Sequence, residues 1–523
     1  MDSQVTLNDV VFESVLSEEP ADNSKRETVD APSFFGDLML DRVIDAITAD
    51  WKDYNLKPLF YAWLNDLSAI AYRQEVFKDL QEKSLMHGIK AFSGQMRAMR
   101  ECLKRASEAK RLEYKYSMTR LFLGTVEIYC DAIEHLSQDL SAADVRSRGM
   151  RALRDYFSEY VASPRFQRLV TDAKEVQAAL GEIRYCLLLK DGSVTVRPYE
   201  AEVDYSQTVE QIFQKFRHGA PGRDRVEVRH SDAINHIEAQ IQDRVALLYP
   251  SIFEMLDAFC TAHAAYLDEK IARFDHEIQF YVAYLEYVAK FRRVGLCFCQ
   301  ATVSEHSKEI QARDAFDIAL ADKLISERAA VIPNDFALNG PERIFIVSGP
   351  NQGGKTTFAR MIGQLHYLAC LGCPVPAKEA RLFHCDRLFT HFERQEKITN
   401  LRGKLQDDLI RIRQILSEAT PKSLIIMNEM FSSTTLKDAV FLSKKVMAQL
   451  SGLDLLGVWV TFLDELSSLN EKTVSMVSLV DPANPAIRTY KVERRAADGF
   501  AYALAIAQKY RLTHNCLKER IKQ

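Results

Sequence analysis

Residues 349–357 read Gly349-Pro350-Asn351-Gln352-Gly353-Gly354-Lys355-Thr356-Thr357, and this stretch indicates the fold of the C-terminal part of the chain. It fits the pattern G-x-x-x-x-G-K-S/T, in which glycines let the backbone wrap closely around phosphates. The apolar run Ile344–Ser348 predicts a strand before it, and a helix is predicted from about Thr357. We therefore predict that all nine residues bind ATP, with Lys355 reaching the β- and γ-phosphates and the Thr356 hydroxyl holding Mg²⁺.

A second polar pair follows an apolar run about seventy residues further on. The run Ser423–Met427 predicts a buried strand that ends in Asn428 and Glu429. Glu429 is predicted to orient or deprotonate an attacking water. Asn428 stands where a carboxylate usually steadies the metal, so Thr356, Asn428 and Glu429 form the predicted metal site. Because the amide has no negative charge, we expect weaker Mg²⁺ retention or slower turnover rather than loss of nucleotide binding.

The rest of the chain divides by pattern into a tail and two larger regions. Residues 1–32 are polar, acidic and aperiodic, which predicts a flexible tail. Residues 33–310 have apolar residues at helical spacing, with a clamp-like β-containing insertion at about 181–232. Residues 311–523 alternate helices and strands and end in helices. The predicted fold class is multidomain: an α-helical lever and core region with the small insertion, then an α/β P-loop (ABC-type) ATPase domain with a largely parallel sheet.

Composition excludes several classes of protein. The 523 residues include 68 Lys and Arg against 72 Asp and Glu. This balance excludes a histone-like polycation, so a nucleic-acid site must be a local patch. No stretch approaches the roughly 18 uninterrupted apolar residues of a membrane span, and no membrane partner is expected. Ten cysteines are too few for a disulfide scaffold, which favours a cytoplasmic location.

The most basic loop-like stretch lies within the predicted insertion. Its candidate DNA phosphate contacts are Lys215, Arg217, Arg223, Arg225 and Arg229. Such contacts would bind the backbone without reading sequence. A solvated surface turn is the alternative interpretation, and the sequence leaves it open.

Four stretches together resemble the ATPase domain of the MutS family. They are 349–377, 423–435, Ala312–Phe316 and Val331–Asn334. The resemblance implies that Asn351 belongs to the phosphate loop, that Glu429 is catalytic, and that Val331 and Ile332 contact the nucleotide. It also implies a homodimer in which two ATPase domains pair and a loop around 400–404 completes the partner's site.

The chain departs from the family pattern at two places. Gly403 and Lys404 replace a Ser-Thr signature, and Lys404 either supplies a cation in trans or is a solvated surface lysine. Phe462 replaces a switch histidine, which implies a different coupling of hydrolysis. Thr461 is the predicted group that senses the γ-phosphate.

These features predict an ATPase that clamps DNA in a nucleotide-dependent manner, in repair or recombination. The resemblance implies that members which detect mismatches carry an N-terminal domain whose Phe-x-Glu wedge inserts beside the mispair. Only about 32 residues precede the helical region here, too few for that domain, so we expect DNA shape to be read more than mismatches. Phe157-Ser158-Glu159 fits the wedge pattern but lies in a helical pattern. The expected partners are branched or mismatched duplex DNA, a second copy, and a protein that binds the acidic tail. One alternative is an ATP-driven factor acting on RNA or ribosomes, and another is a nucleotide-regulated scaffold with little turnover.

Overall fold

A computed structural model describes residues 12–18, 30–190, 193–200, 236–393, 403–484, 487–497 and 518. The helices are α1 (Phe35–Leu38), α2 (Leu40–Thr48), α3 (Lys57–Tyr61), α4 (Leu67–Asp79), α5 (Lys83–Arg111), α6 (Lys115–Ala142), α7 (Arg148–Ala162), α8 (Pro164–Gly181), α9 (His236–Leu248), α10 (Pro250–Ala262), α11 (Glu269–Arg292), α12 (Ile318–Ser326), α13 (Lys355–Cys370), α14 (Lys404–Glu418) and α15 (Leu436–Leu453). The strands are β1 (Tyr185–Lys190), β2 (Ser193–Pro198), β3 (Thr302–Ser304), β4 (Ile310–Ala315), β5 (Asn334–Leu338), β6 (Ile344–Ser348), β7 (Glu379–Phe383), β8 (Leu388–His391), β9 (Leu424–Asn428), β10 (Leu456–Val460), β11 (Thr473–Val480) and β12 (Arg488–Arg494).

The chain forms two compact units. One unit comprises Met1–Glu82, Arg146–Arg151 and His276–Gln523, and the other comprises Lys83–Val145 and Ala152–Asp275. The boundaries predicted at residues 32 and 310 stay predictions. Residues 498–517, where C-terminal helices are predicted, lie outside the described part of the chain.

The larger unit is built on a six-stranded sheet of order β12-β11-β6-β10-β9-β8. Neighbouring strands from β11 to β8 are parallel, and only the edge pair β11–β12 is antiparallel. Strands β6 and β10 are buried along their whole length, as expected where helices cover both faces of a parallel sheet. The largely parallel sheet predicted from the sequence is confirmed. A second sheet of order β3-β7-β4-β5 lies in the same unit.

Elements from the N-terminal part of the chain hold α13, the helix that follows the glycine-rich loop. Gln364 on α13 donates to the Leu38 carbonyl at 2.9 Å, and the Tyr367 hydroxyl donates to the Phe60 carbonyl. The Phe35 ring meets the Tyr367 ring edge-on, with centroids 5.2 Å apart. The helix that begins at the glycine-rich loop is therefore anchored by residues more than 300 positions earlier in the chain.

The prediction that residues 1–32 form a flexible tail is wrong for residues 12–18. Phe12, Val15 and Leu16 are buried, because this segment supplies apolar side chains to the core of the larger unit. Buried Glu277 accepts hydrogen bonds from the Ser14 hydroxyl at 2.6 Å and the Val15 amide at 3.1 Å. Residues 1–11 and 19–29 lie outside the described residues.

The smaller unit consists mainly of long helices and contains an antiparallel pair of strands. Helices α5 and α6 pack along their length, and a Cβ at Gly88 would come within 2.4 Å of the Asp139 carboxylate. Strands β1 and β2 pair from Tyr185↔Pro198 to Lys190↔Ser193, within the range of the predicted β-containing insertion. Phe157 is buried against the rings of Phe92 and Phe274, so it packs in the helical core as its pattern indicates.

Among the described residues, no single helix has both the length and the apolar character of a membrane span. The helices His236–Leu248 and Pro250–Ala262, which are bent by 111° relative to each other, reach the length and apolar composition of a span only when they are taken together.

Candidate functional site at the carboxyl edge of the main sheet

The parallel arrangement of β9, β10 and β6 brings three chemically distinct strand ends together. Val460 at the end of β10 lies opposite Asn428 of β9 on one side and Val347 of β6 on the other. Parallel strands end at the same edge, which is where open α/β sheets bind ligands. The glycine-rich loop, the Asn428–Glu429 pair and Thr461 are therefore neighbours, although the sequence separates them by up to about 110 residues.

The loop between β6 and α13 needs glycine at its tightest points. Gly349 and Gly354 have φ values of 115° and 95°, which L side chains rarely adopt. A Cβ at Gly349 would lie 2.8 Å from the Ser478 carbonyl oxygen, and one at Gly353 would lie 2.2 Å from its hydroxyl. The Ser478 hydroxyl donates to the Gly353 carbonyl at 2.6 Å. The loop is thus clamped against β11, while its Asn351 and Gln352 side chains are exposed.

Lys355 lies inside this loop, and its side chain is almost fully buried, at 4% exposure. Its ammonium donates to the Gly349 and Pro350 carbonyls at 3.0 and 3.1 Å and to Asn351 Oδ1 at 3.3 Å. Burial lowers the pKa of Lys355; the nearby Glu429 charge opposes that shift. A buried ammonium bonded to neutral oxygens strongly favours an arriving anion.

Thr356, in the first turn of α13, contacts the second strand end directly. Its hydroxyl donates to Asn428 Oδ1 at 2.9 Å. Glu429 then follows with φ 54°, and its amide donates to the Val460 carbonyl at 2.9 Å. A left-handed backbone at a non-glycine residue is strained and is often found at functional sites. The predicted metal residues Thr356, Asn428 and Glu429 are therefore brought together.

Thr461 and Phe462 follow β10 at the same edge. The Thr461 amide donates to the Val347 carbonyl at 3.0 Å, and its buried hydroxyl accepts from the Leu463 amide at 3.1 Å. The Phe462 ring is 52% exposed and lies over the Lys355 ammonium, 4.7 Å from nitrogen to centroid. An aromatic face attracts a cation, so Phe462 stabilises the inward conformation of Lys355.

Sequence reasoning missed two residues that border the loop. Arg488 on β12 donates from Nε to the Asn351 carbonyl at 3.2 Å, and its charge adds to the lowering of the Lys355 pKa. Ser478 on β11 supplies the surface on which the loop glycines pack. Both lie more than 120 residues after the loop and belong to no local motif, so only the sheet order reveals them.

Val331 and Ile332, predicted to contact the nucleotide, precede β5. Asn334 ties this segment to β12: its amide nitrogen donates to the Tyr490 carbonyl at 3.1 Å, and its oxygen accepts from the Val492 amide at 2.8 Å. Tyr490 in turn lies beside the loop, since a Cβ at Gly354 would be 3.8 Å from its Cα. Ile332 and Tyr490 are 37% and 52% exposed, which leaves apolar surface at the margin of the loop.

Gly403 and Lys404 lie at the start of α14. Gly403 is the residue before the helix, and the Lys404 ammonium forms an ion pair with Glu393 and donates to the Ser432 hydroxyl at 3.3 Å. Ser432 follows Glu429 by three residues, so Lys404 contacts the loop that leaves β9 in its own chain. Residues 400–402 lie outside the described residues, as do Lys215, Arg217, Arg223, Arg225 and Arg229, and the trans and DNA contacts stay predictions.

The fold and this edge define an α/β domain with a glycine-rich loop between strand and helix, within a mixed helical and sheet multidomain protein. Residues 345–521 match the family model described as MutS domain V. The C-terminal third of the chain is therefore similar to MutS domain V.

Two curated relatives agree with this match. The DNA mismatch repair protein MutS of Caldicellulosiruptor bescii is 29% identical over 178 residues, which is 33% of this chain and 19% of the relative. The protein of the same name from Caldicellulosiruptor saccharolyticus is 29% identical over 185 residues, 34% of this chain and 21% of the relative. The matched region thus spans about a fifth of each relative's length.

Proposed function

We propose that this chain is a MutS-like ATPase that clamps DNA in a nucleotide-dependent manner and acts in DNA repair or recombination, reading DNA shape more than mismatches. The observation that carries the proposal is the meeting of Lys355, the Thr356–Asn428 pair and Glu429 at one edge of a parallel sheet. The names of the two relatives, both DNA mismatch repair proteins, support a role in repair.

The residues at this edge fit ATP with Mg²⁺. The loop has glycine at positions 349, 353 and 354, which lets its backbone come close to a phosphate, and Lys355 provides a buried positive charge. Thr356 and Asn428 present hydroxyl and amide oxygens, which are ligands that Mg²⁺ accepts directly or through water. Among the described residues no group of three or more His, Cys, Asp or Glu is placed to hold a metal, but a Mg²⁺ shared with phosphates needs only one or two carboxylates.

Each residue has a separable role in the proposed hydrolysis. Bound ATP with Mg²⁺ supplies the reactive phosphoanhydride and a metal charge that stabilises the transferred phosphoryl group. Lys355 neutralises phosphate charge, and the Thr356 hydroxyl and Asn428 amide oxygen orient the metal's ligand shell. Glu429 orients the attacking water and accepts its proton. Since Asn428 is uncharged, it would hold the metal, or a water bound to the metal, through its amide dipole alone, which predicts slow turnover.

An exposed apolar face beside the site supports pairing of two such domains. Leu436 and Phe441 on α15 are 71% and 61% exposed. A groove of about 480 Å³ lies between Leu436, Val440, Phe462 and neighbouring residues. Apolar surface of this kind is typical of protein interfaces. A homodimer formed through this face would place each nucleotide between two copies, where Lys404 could reach the partner's site.

The proposal is tested with the purified full chain in two steps. ATP binding and hydrolysis are measured first with Mg²⁺ and then with EDTA. Binding to matched, single-mismatch and four-way-junction DNA is then measured with ADP and with a non-hydrolysable ATP analogue, across a salt series. We expect Mg²⁺-dependent hydrolysis and a junction preference that changes with the nucleotide. Preference for the mismatch would contradict shape reading, and absence of binding to all three DNAs would overturn the DNA clamp while leaving the ATPase intact.

A further inference from the structure

Helix α5 is the most strongly charged helix of the smaller unit, and its charge is ordered. Its 29 residues include eight basic and two acidic side chains. Five of the basic residues recur at every seventh position and are exposed: Lys83, Lys90, Arg97, Lys104 and Arg111. Seven residues rise about 10.5 Å along the helix axis, and successive members of the row differ by only about 20° around that axis. The five side chains therefore form one row about 42 Å long, which we call the cationic track.

The opposite face of α5 shows why the track points outward. Leu85, Phe92, Met99 and Ala106 also recur every seventh residue, and all four are buried. Two rows of the same period, five residues out of phase, lie on opposite sides of a helix. The buried row fixes the rotation of α5 by packing in the helical core, and that rotation exposes the track along its full length.

The first two thirds of the track, from Lys83 to Arg100, carry no acidic residue on α5 itself. Ala91, Gly94 and Ala98 flank it there and are exposed, so the helix surface between the cations is flat. The acidic residues Glu101 and Glu108 lie only in the later part. Arg100, in contrast, pairs with buried Asp275 and has a structural role.

The spacing selects the kind of partner. Cations about 10 Å apart are separated by more than the Debye length of about 8 Å at physiological salt. A small anion would thus feel one cation at a time, whereas a linear polyanion engages the whole row. Duplex DNA carries a charge about every 1.7 Å along its axis with both strands counted, so its two backbones present phosphates at several points along a row of this length. The apolar side of α5 is already buried in protein, which disfavours insertion into a lipid surface.

We propose that the cationic track of α5 binds the phosphate backbone of duplex DNA, independently of sequence. This inference rests on the proposed DNA-binding function and adds a surface within the described residues, distinct from the basic loop at 215–229. Binding without base contacts agrees with recognition of DNA by shape, because phosphate contacts position a duplex without reading it.

The test compares two fourfold variants of the full chain that remove equal charge. The track variant carries Lys83→Gln, Arg97→Gln, Lys104→Gln and Arg111→Gln. The matched control carries Arg120→Gln, Arg168→Gln, Lys174→Gln and Arg244→Gln, which are exposed cations on α6, α8 and α9 of the same unit. Glutamine is a good helix former, and circular dichroism and thermal melting check that both variants are folded. Fluorescence anisotropy then gives the affinity for a matched duplex of about 30 base pairs between about 50 and 200 mM salt.

Loss of four phosphate contacts should reduce the slope of log affinity against log salt by up to about 3.6, since each contact contributes about 0.9. We expect this change, and at least about tenfold weaker binding at low salt, in the track variant only. Equal slopes for both variants, or tighter binding of an RNA duplex than of DNA by the wild type, would overturn the track. If the wild type binds DNA and the track variant binds equally well, the track fails and the proposed function stands. If the wild type binds no duplex, the DNA function itself fails.

Discussion

The glycine-rich loop and the ends of β9 and β10 face each other across the same site, yet they follow the requirements of phosphate chemistry to different degrees. In the loop, glycine stands at both close approaches to Ser478, and Lys355 is buried among neutral oxygens. At the strand ends, Asn428 stands where a carboxylate is expected and an apolar ring, Phe462, covers the lysine. Under the proposed function the difference separates two tasks: the loop binds the nucleotide, and the strand ends limit the rate of its hydrolysis.

The largest effect is expected at Glu429, the carboxylate at the strand ends that can activate water. Glu429→Gln should lower kcat for ATP hydrolysis by at least about a hundredfold, because general base catalysis contributes about 10²–10⁴-fold, while ATP affinity changes little. The measurement is single-turnover hydrolysis alongside equilibrium binding of a fluorescent ATP analogue. Hydrolysis at the wild-type rate would mean that another group activates the water and that the comparison assigns turnover to the wrong residue.

The next largest effect is expected from a substitution in the glycine-rich loop. Gly349→Ala forces an L side chain into φ 115° and places its Cβ 2.8 Å from the Ser478 carbonyl. Backbone strain of about 1–3 kcal/mol corresponds to about 5- to 150-fold weaker nucleotide binding, measured by isothermal titration calorimetry. Gly452→Ala is the matched control, since a Cβ there meets nothing within 4 Å. Equal affinities of the two variants would show that the loop tolerates a side chain at Gly349.

A smaller effect is expected when a negative charge is placed at position 428. Asn428→Asp places a carboxylate 2.9 Å from the Thr356 hydroxyl, where it can hold Mg²⁺ more strongly. We expect kcat to rise about three- to tenfold, as each 1.36 kcal/mol of barrier changes the rate tenfold, and the Mg²⁺ concentration for half-maximal activity to fall. An unchanged rate and an unchanged Mg²⁺ dependence would show that the absent carboxylate does not limit turnover.

The glycine-rich loop and the strand ends also differ in how well the sequence predicts them. The loop, its strand and its helix follow from local signals, and Ile344–Ser348 forms the strand at the predicted positions. Arg488 and Ser478 complete the loop from β12 and β11, and no local pattern marks them because strand order is a property of the whole sheet. The flexible tail predicted for residues 1–32 is wrong over 12–18, because the acidic composition of the segment hides three apolar residues that become buried.

The smallest effect is expected at Phe462, whose ring lies over Lys355. An exposed cation–π contact is worth about 0.5–1 kcal/mol, and this one stabilises the lysine in its inward position before a phosphate arrives. Phe462→Leu removes the ring face but keeps an apolar side chain. Nucleotide binding, which competes for the same ammonium, should therefore become about two- to fivefold tighter.

Phe441→Leu provides the control for this last prediction, because Phe441 is similarly exposed and lies over a different cation, Lys445, at 5.7 Å. Both variants are titrated with ADP at several salt concentrations. If Phe462→Leu alone tightens binding, the ring competes with phosphate, and the strand ends oppose the loop in binding as well as in turnover. If both variants tighten binding equally, the gain comes from the exposed apolar face. If Phe462→Leu weakens binding, the ring supports the bound nucleotide, and the two sides of the site act together.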